Sequence, residues 1–143
     1  MDDNINLILH YISKSKLKSS HIIDIQVVGS RCYGFYRESS DFEIIILGIN
    51  DDINRQRRSI NERFYHNDIK YVLRHSDIKI LNRKWGEYLL PRKSLITGDF
   101  INVDKEMILK YIKDRIKRDK TWLEGRKLHH TEILSEKDIE SIL

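Results

Sequence analysis

Apolar residues in the first segment, Asn6 to Leu17 with Ile5 before it, fall at Ile5, Leu7, Ile8, Tyr11 and Ile12. That spacing predicts a short opening helix. Ile22 to Val28 is β-branched and ends at Gly29-Ser30, which predicts a strand running into a tight turn. Arg31 to Tyr36 is expected to be a linker or one helical turn. Phe42 to Leu47 is a second predicted strand, and its unbroken apolar run, Ile44-Ile45-Ile46-Leu47, predicts cover on both faces. Asn50-Asp51-Asp52 supplies capping oxygens for a polar, exposed helix carrying Arg55, Arg57 and Arg58. Asp68 to Leu73 is a third predicted strand, with Ser76 or Asp77 capping a helix toward Leu90 that Pro91 stops. Asp104 to Leu123 carries the longest helical stripe, through Met107, Ile108, Tyr111, Ile112, Ile116 and Leu123.

These elements predict an α/β (α+β) unit, a small mixed sheet flanked by helices. The 143 residues hold one proline and six glycines, with no repeat or low-complexity linker, so they are expected to form a single domain. Its motif-bearing core spans about 22–81 and its C-terminal helical part about 104–143. No apolar run approaches the ~20 residues of a membrane span. The start, Met1-Asp2-Asp3-Asn4, is acidic where a targeting peptide is basic, and Cys32 is the single cysteine. Both features favour a reducing, cytoplasmic setting.

Charge changes this picture only locally. The net charge is +4, and residues 105–127 hold nine Lys or Arg against four Asp or Glu. Lys110, Lys113, Lys117 and Lys120, with Trp122 nearby, form a candidate path for an RNA or DNA backbone. Alanine is absent and isoleucine occurs 23 times, a bias typical of AT-rich coding that weakens lysine abundance as a sign of a nucleic-acid partner. Cys32 is expected to be a buried, inert thiol, and His129-His130 a polar surface doublet.

The chemistry concentrates in one stretch: Gly29-Ser30, ten residues, then Asp41-Phe42-Glu43 entering the apolar strand. A glycine turn lets bare backbone approach a ligand, and the N–H groups after it suit a triphosphate. Asp41 and Glu43, two apart, project from one strand face. Two converging carboxylates suit a hard cation, Mg²⁺ or Mn²⁺, held together with substrate phosphates. Arg31 is a further candidate for a phosphate oxygen.

The run Gly29-Ser30-Arg31-Cys32-Tyr33-Gly34, with Ser40 before Asp41-Phe42-Glu43, resembles the signature of the DNA polymerase beta superfamily of nucleotidyltransferases. It is especially similar to the small bacterial and phage members, including RNA-repair polymerase-beta-like proteins. The resemblance implies a metal-dependent transfer of a nucleoside monophosphate from an NTP to an acceptor hydroxyl, with release of pyrophosphate. It implies Gly29, Ser30 and Arg31 at the nucleotide, and Asp41, Glu43 and a third carboxylate at the metal. Asp68 is the candidate for the third, as ligand and as base toward the acceptor, the alternative being a plain turn residue after Asn67. Most members carry Asp where this chain has Glu43, although aminoglycoside nucleotidyltransferases are similar in using Asp-x-Glu. The acceptor is left open among nucleic-acid ends, proteins and small molecules. The alternative is a non-catalytic nucleotide- or RNA-binding member, antitoxin-like, with a protein partner.

Overall fold

The computed structural model describes residues 3–15, 19–83, 91–129 and 133–143. Its elements run α1 (Asp3–Lys14), β1 (Ser19–Val28), α2 (Ser30–Tyr33), β2 (Phe35–Tyr36), β3 (Phe42–Asn50), α3 (Asp51–Gln56), β4 (Ile60–His66) and β5 (Ile69–Ser76). There follow α4 (Ile78–Arg83), β6 (Arg92–Ser94), β7 (Phe100–Ile101), α5 (Lys105–Arg118), a 3-10 turn at Lys120–Leu123, β8 (Lys127–Leu128) and α6 (Glu136–Glu140). Six strands form one mixed sheet in the order β4-β5-β3-β1-β6-β7. β3 and β5 are parallel, and the other neighbours are antiparallel. A separate ribbon pairs β2 with β8.

The inner strand β3 explains the sheet. Ile44, Ile45, Ile46 and Leu47 are all buried, as a strand covered on both faces requires. On one face Ile44 and Ile46 join Ile25 and Val27 of β1, Tyr71 and Leu73 of β5, Ile8 of α1, and Ile108 and Ile112 of α5. On the other, Ile45 and Leu47 pack with Leu81 of α4. Gly48 allows β1 to come close, because a Cβ there would collide with the carbonyl of His21 beside the register shifts in this ladder.

The helix caps follow from sequence. Asn50 accepts bonds from the N–H groups of Asp52 and Ile53, and Asp77 accepts one from Ile80. The α3 surface is polar, with Arg55, Arg57 and Arg58 exposed, but it also buries Ile53. Arg57 ends α3 in the left-handed region at φ 54°.

Several elements differ from the sequence expectation. β4, β6, β7 and β8 are additional strands, each either short or rich in polar residues, so that no clear alternation announces them. The long helix ends at Arg118, where Asp119 caps the following 3-10 turn. Arg31 to Tyr36 divides into the turn α2 and the strand β2. The expected ends of the first helix at Leu17 and of the helix toward Leu90 lie outside the described residues, as does His130. Among the described residues, no helix is long and apolar enough to cross a membrane.

An aromatic column crosses the molecule. Tyr11 stacks on Phe64 at 4.3 Å, Phe64 on Tyr71 at 4.8 Å, and Tyr71 on Phe42 at 4.8 Å. The Arg31 guanidinium then lies between Phe42 and Tyr36, 4.4 and 4.2 Å from the ring centres, and His129 stacks on Tyr36 at 3.7 Å.

Beneath α1, the buried His75 of β5 faces Glu62 of β4, with Nε2 3.3 Å from Oε1. Ser15 Oγ donates to the same carboxylate oxygen at 2.6 Å. Burial pushes the imidazole below its ordinary value, and Glu62 opposes this only in part.

Two stability measurements follow. The unfolded imidazole takes up its proton at about 6.5, before the native one does, so urea-derived stability should fall as pH drops below about 6.5 and level off below the native pKa. His75→Gln should flatten that slope. At neutral pH Leu73→Ala should cost about 2–5 kcal/mol, whereas Arg57→Gly, which relieves the left-handed residue, should stabilise by about 0.5–1 kcal/mol.

Candidate functional site

The site begins where β1 ends. Gly29 lies at φ 73°, ψ −159°, a conformation that is essentially glycine's alone. Its carbonyl accepts the N–H groups of Cys32 at 2.9 Å and Tyr33 at 3.0 Å, and Gly34 N–H closes the turn on Ser30 O at 2.9 Å. The antiparallel register places Val28 opposite Glu43. A Cβ on Gly29 would collide with Oε2 of Glu43, so the absent side chain is what leaves room for the carboxylate.

Ser30, Asp41 and Glu43 line one cleft of about 330 Å³. Asp41, just ahead of β3, pairs with Lys70 Nζ at 3.3 Å. Three arginines from distant parts of the chain complete the walls: Arg37 after β2, Arg115 on α5 and Arg126 beyond the 3-10 turn. Backbone carbonyls aim two of them. Arg37 Nη2 donates to Thr121 O at 2.7 Å and Trp122 O at 2.9 Å, while Arg126 Nε donates to Trp122 O at 2.6 Å. Arg126 also lies over the Trp122 ring at 3.8 Å. Burial holds the Arg126 guanidinium below its ordinary value, and the positive charges of Arg37 and Arg115 add to the effect. Arg37 Nε is buried without a hydrogen-bond partner. Guanidinia held this close repel one another, and an anion in the cleft would relieve that repulsion.

A second cleft of about 270 Å³ adjoins the first, with Glu43, Tyr111 and Arg115 common to both. Tyr111 and Arg115, four apart on α5, lie on one helix side. Tyr33 meets Tyr111 edge-on at 5.4 Å. Burial, with the charge of Glu43 as a smaller cause, raises both phenols, so both stay protonated at neutral pH.

The other sequence candidates fall elsewhere. Asp68 sits in the β4–β5 hairpin turn at φ 63°, beside Asn67 at φ 52°, before β5 begins. Asp68 lines neither cleft, and among the described residues no group of three or more His, Cys, Asp or Glu that could hold a metal ion comes together. The β5 residues in register with Glu43 and Ile45 are Val72 and Arg74. Arg31 lines neither described cleft. Its guanidinium donates to Glu38 O at 2.7 Å and to Ser40 O at 2.9 and 3.1 Å, which ties down the loop between turn and carboxylates.

Cys32 is buried and its thiol is pushed up to about 12 by burial, as an inert core residue requires. Lys110, Lys113 and Lys117 are exposed and line neither cleft. The residues that sequence reasoning missed are Arg37, Arg115 and Arg126. Each is one basic residue among many, and only the tertiary fold brings the three together.

In comparisons with known proteins, no family model, curated sequence or solved structure matches the chain.

The Gly29–Glu43 contact can be measured directly. Gly29→Ala should cost about 1–3 kcal/mol by urea denaturation from backbone strain, with the far end of the exposed Glu43 side chain swinging aside at little cost. In a Glu43→Ala background the same substitution should cost within about 0.5 kcal/mol of that value, because the strain lies in the backbone.

Proposed function

We propose that this chain is a nucleotidyltransferase that takes an NTP into the 330 Å³ cleft and passes its nucleoside monophosphate to an acceptor hydroxyl. The observation that carries the reading is the convergence of Ser30, Asp41 and Glu43 with Arg37, Arg115 and Arg126 on that one cleft. The polymerase-beta-like signature read from Gly29 to Glu43 points the same way.

The arginines and Ser30 bind the triphosphate, and Trp122 offers its ring to the base or sugar. Two carboxylates, Asp41 and Glu43, suit one hard divalent cation whose remaining ligands are phosphate oxygens, so the residues fit Mg²⁺ or Mn²⁺. When bound, that ion supplies charge neutralisation on the phosphate chain. Glu43 is common to both clefts and takes the acceptor proton. The acceptor oxygen bonds to the α-phosphorus, the bond from that phosphorus to the β-bridging oxygen breaks, and pyrophosphate leaves with the electron pair.

A second, non-catalytic reading is favoured by one observation: Asp68, the expected third carboxylate, stands in a turn and lines neither cleft, and Arg74 is on the neighbouring strand. It predicts nucleotide affinity without turnover.

Incubation with each α-labelled NTP, Mg²⁺ or Mn²⁺, and a panel of acceptors separates the two. The transferase reading expects labelled acceptor and free pyrophosphate, a rate loss on the order of 10²-fold or more in Asp41→Asn, and no transfer in EDTA. Label transfer that is absent, or unchanged in Asp41→Asn, overturns it. Calorimetry should show NTP affinity reduced about tenfold in Arg126→Gln.

A further inference from the structure

A third hollow, an apolar groove of about 350 Å³, borders Arg126 and shares neither Ser30 nor the two carboxylates with the first cleft. The β2–β8 ribbon contributes Phe35 and Leu128 to it. The C-terminal segment contributes Glu136, Ile139, Glu140 and Leu143, positions i, i+3, i+4 and i+7 of one helix face. Helical turns carry that face past the end of α6, with Ile142 N–H on Ile139 O at 3.1 Å and Leu143 N–H on Glu140 O at 3.4 Å. Leu143 is left 68% exposed.

The charge on this face runs against the rest of the molecule. The chain carries +4, yet residues 128–143 hold four acidic residues and one basic one. Asp138 is paired with Lys105 at 3.1 Å, whereas Glu136 and Glu140 are exposed and meet no cation among the described residues. Arg126 is engaged by main-chain carbonyls, Nε with Trp122 O at 2.6 Å and Nη1 with Phe35 O at 3.3 Å. Apolar side chains beside two unpaired carboxylates one helical turn apart are complementary to an amphipathic helix whose apolar anchors are flanked by Lys or Arg. No described helix of this chain offers such a face. The exposed residues of α5 are all charged, α3 exposes only polar ones, α1 exposes Leu9 as its one apolar residue, and α4 exposes Ile78 as its own. The matching helix therefore belongs to a different chain.

We propose that this groove docks a basic amphipathic helix of a separate protein, with apolar side chains seated against Phe35, Leu128 and Ile139 and Lys or Arg side chains facing Glu136 and Glu140. The apolar contact supplies the affinity. The exposed carboxylates steer and select, because an acidic helix with the same apolar seam is repelled. Docking here is separate from nucleotide transfer and holds whether or not the chain turns over an NTP.

The probe is a fluorescein-labelled helical peptide of Leu and Lys with leucines at i, i+3, i+4 and i+7. Its controls are a Leu/Glu peptide of the same pattern and a scrambled Leu/Lys peptide that keeps the composition and breaks the seam. Anisotropy should show saturable binding of the first peptide, about tenfold tighter than of either control. The double variant Glu136→Lys, Glu140→Lys should weaken it about tenfold and make the Leu/Glu peptide the better ligand. Leu143→Asp should weaken it by a similar factor, and it carries the test should circular dichroism show that the charge reversal disturbs α6. No binding, equal binding of the scrambled peptide, or binding indifferent to these substitutions overturns the proposal. Sedimentation of the unmodified protein alone should show a monomer. A dimer that Leu143→Asp dissociates would assign the groove to a second copy of this chain instead, and so overturn the assignment to a separate partner.

Discussion

The antiparallel pairing of β1 with β3 is the constraint on which the candidate site depends. It sets Val28 opposite Glu43, so the glycine that follows Val28 meets the carboxylate that follows Phe42. A one-residue slip would carry Glu43 to the face where Ile44 and Ile46 pack under α1 and α5. The register is held by burial, because Ile44 and Ile46 must face α1 and α5 while Ile45 and Leu47 face α4. Hydrophobic packing on two faces is therefore what positions a polar site at the strand's end, and the site needs little stabilisation of its own.

Charge in the cleft is arranged by a different device. Arg37 and Arg126 are held by main-chain carbonyls of the 3-10 turn rather than by carboxylates. Carbonyl acceptors fix the direction of a guanidinium without cancelling its charge. The positive field of the cleft thus survives the folding that organises it, and remains available to a polyanion. Asp41 differs, since Lys70 lies 3.3 Å away and partly offsets it. A cation binding there competes with that ammonium group.

Local features were legible in the sequence to the extent that they are local. The strand at Phe42–Leu47, the caps at Asn50 and Asp77, the turn at Gly29 and the inert Cys32 each follow from a few neighbouring residues, and the structure shows them. Asp68 exposes the limit of this reasoning. Its strand is real, but β4 precedes it, and the hairpin so formed puts Asn67-Asp68 in left-handed turn positions. Ile60 to His66 alternates weakly because an edge strand carries polar groups, so the hairpin was hidden. Arg31 is similar: its position beside Ser30 suggests phosphate, but Tyr36 and Phe42 hold it between their rings. The arginines of the cleft had no local signal, being brought together from positions 37, 115 and 126 only by tertiary packing.

The aromatic column has a consequence for the motif loop. Arg31 is its charged link, stacked on both sides and bonded to the carbonyls of Glu38 and Ser40. Moving the loop between Ser30 and Asp41 would unstack rings on either side, and through them disturb α1 at one end and the β2–β8 ribbon at the other. The loop is thus seated before any ligand arrives. Such a cleft is a mould rather than a jaw: it meets its ligand by entry and shape, without a closing movement of the turn that holds it.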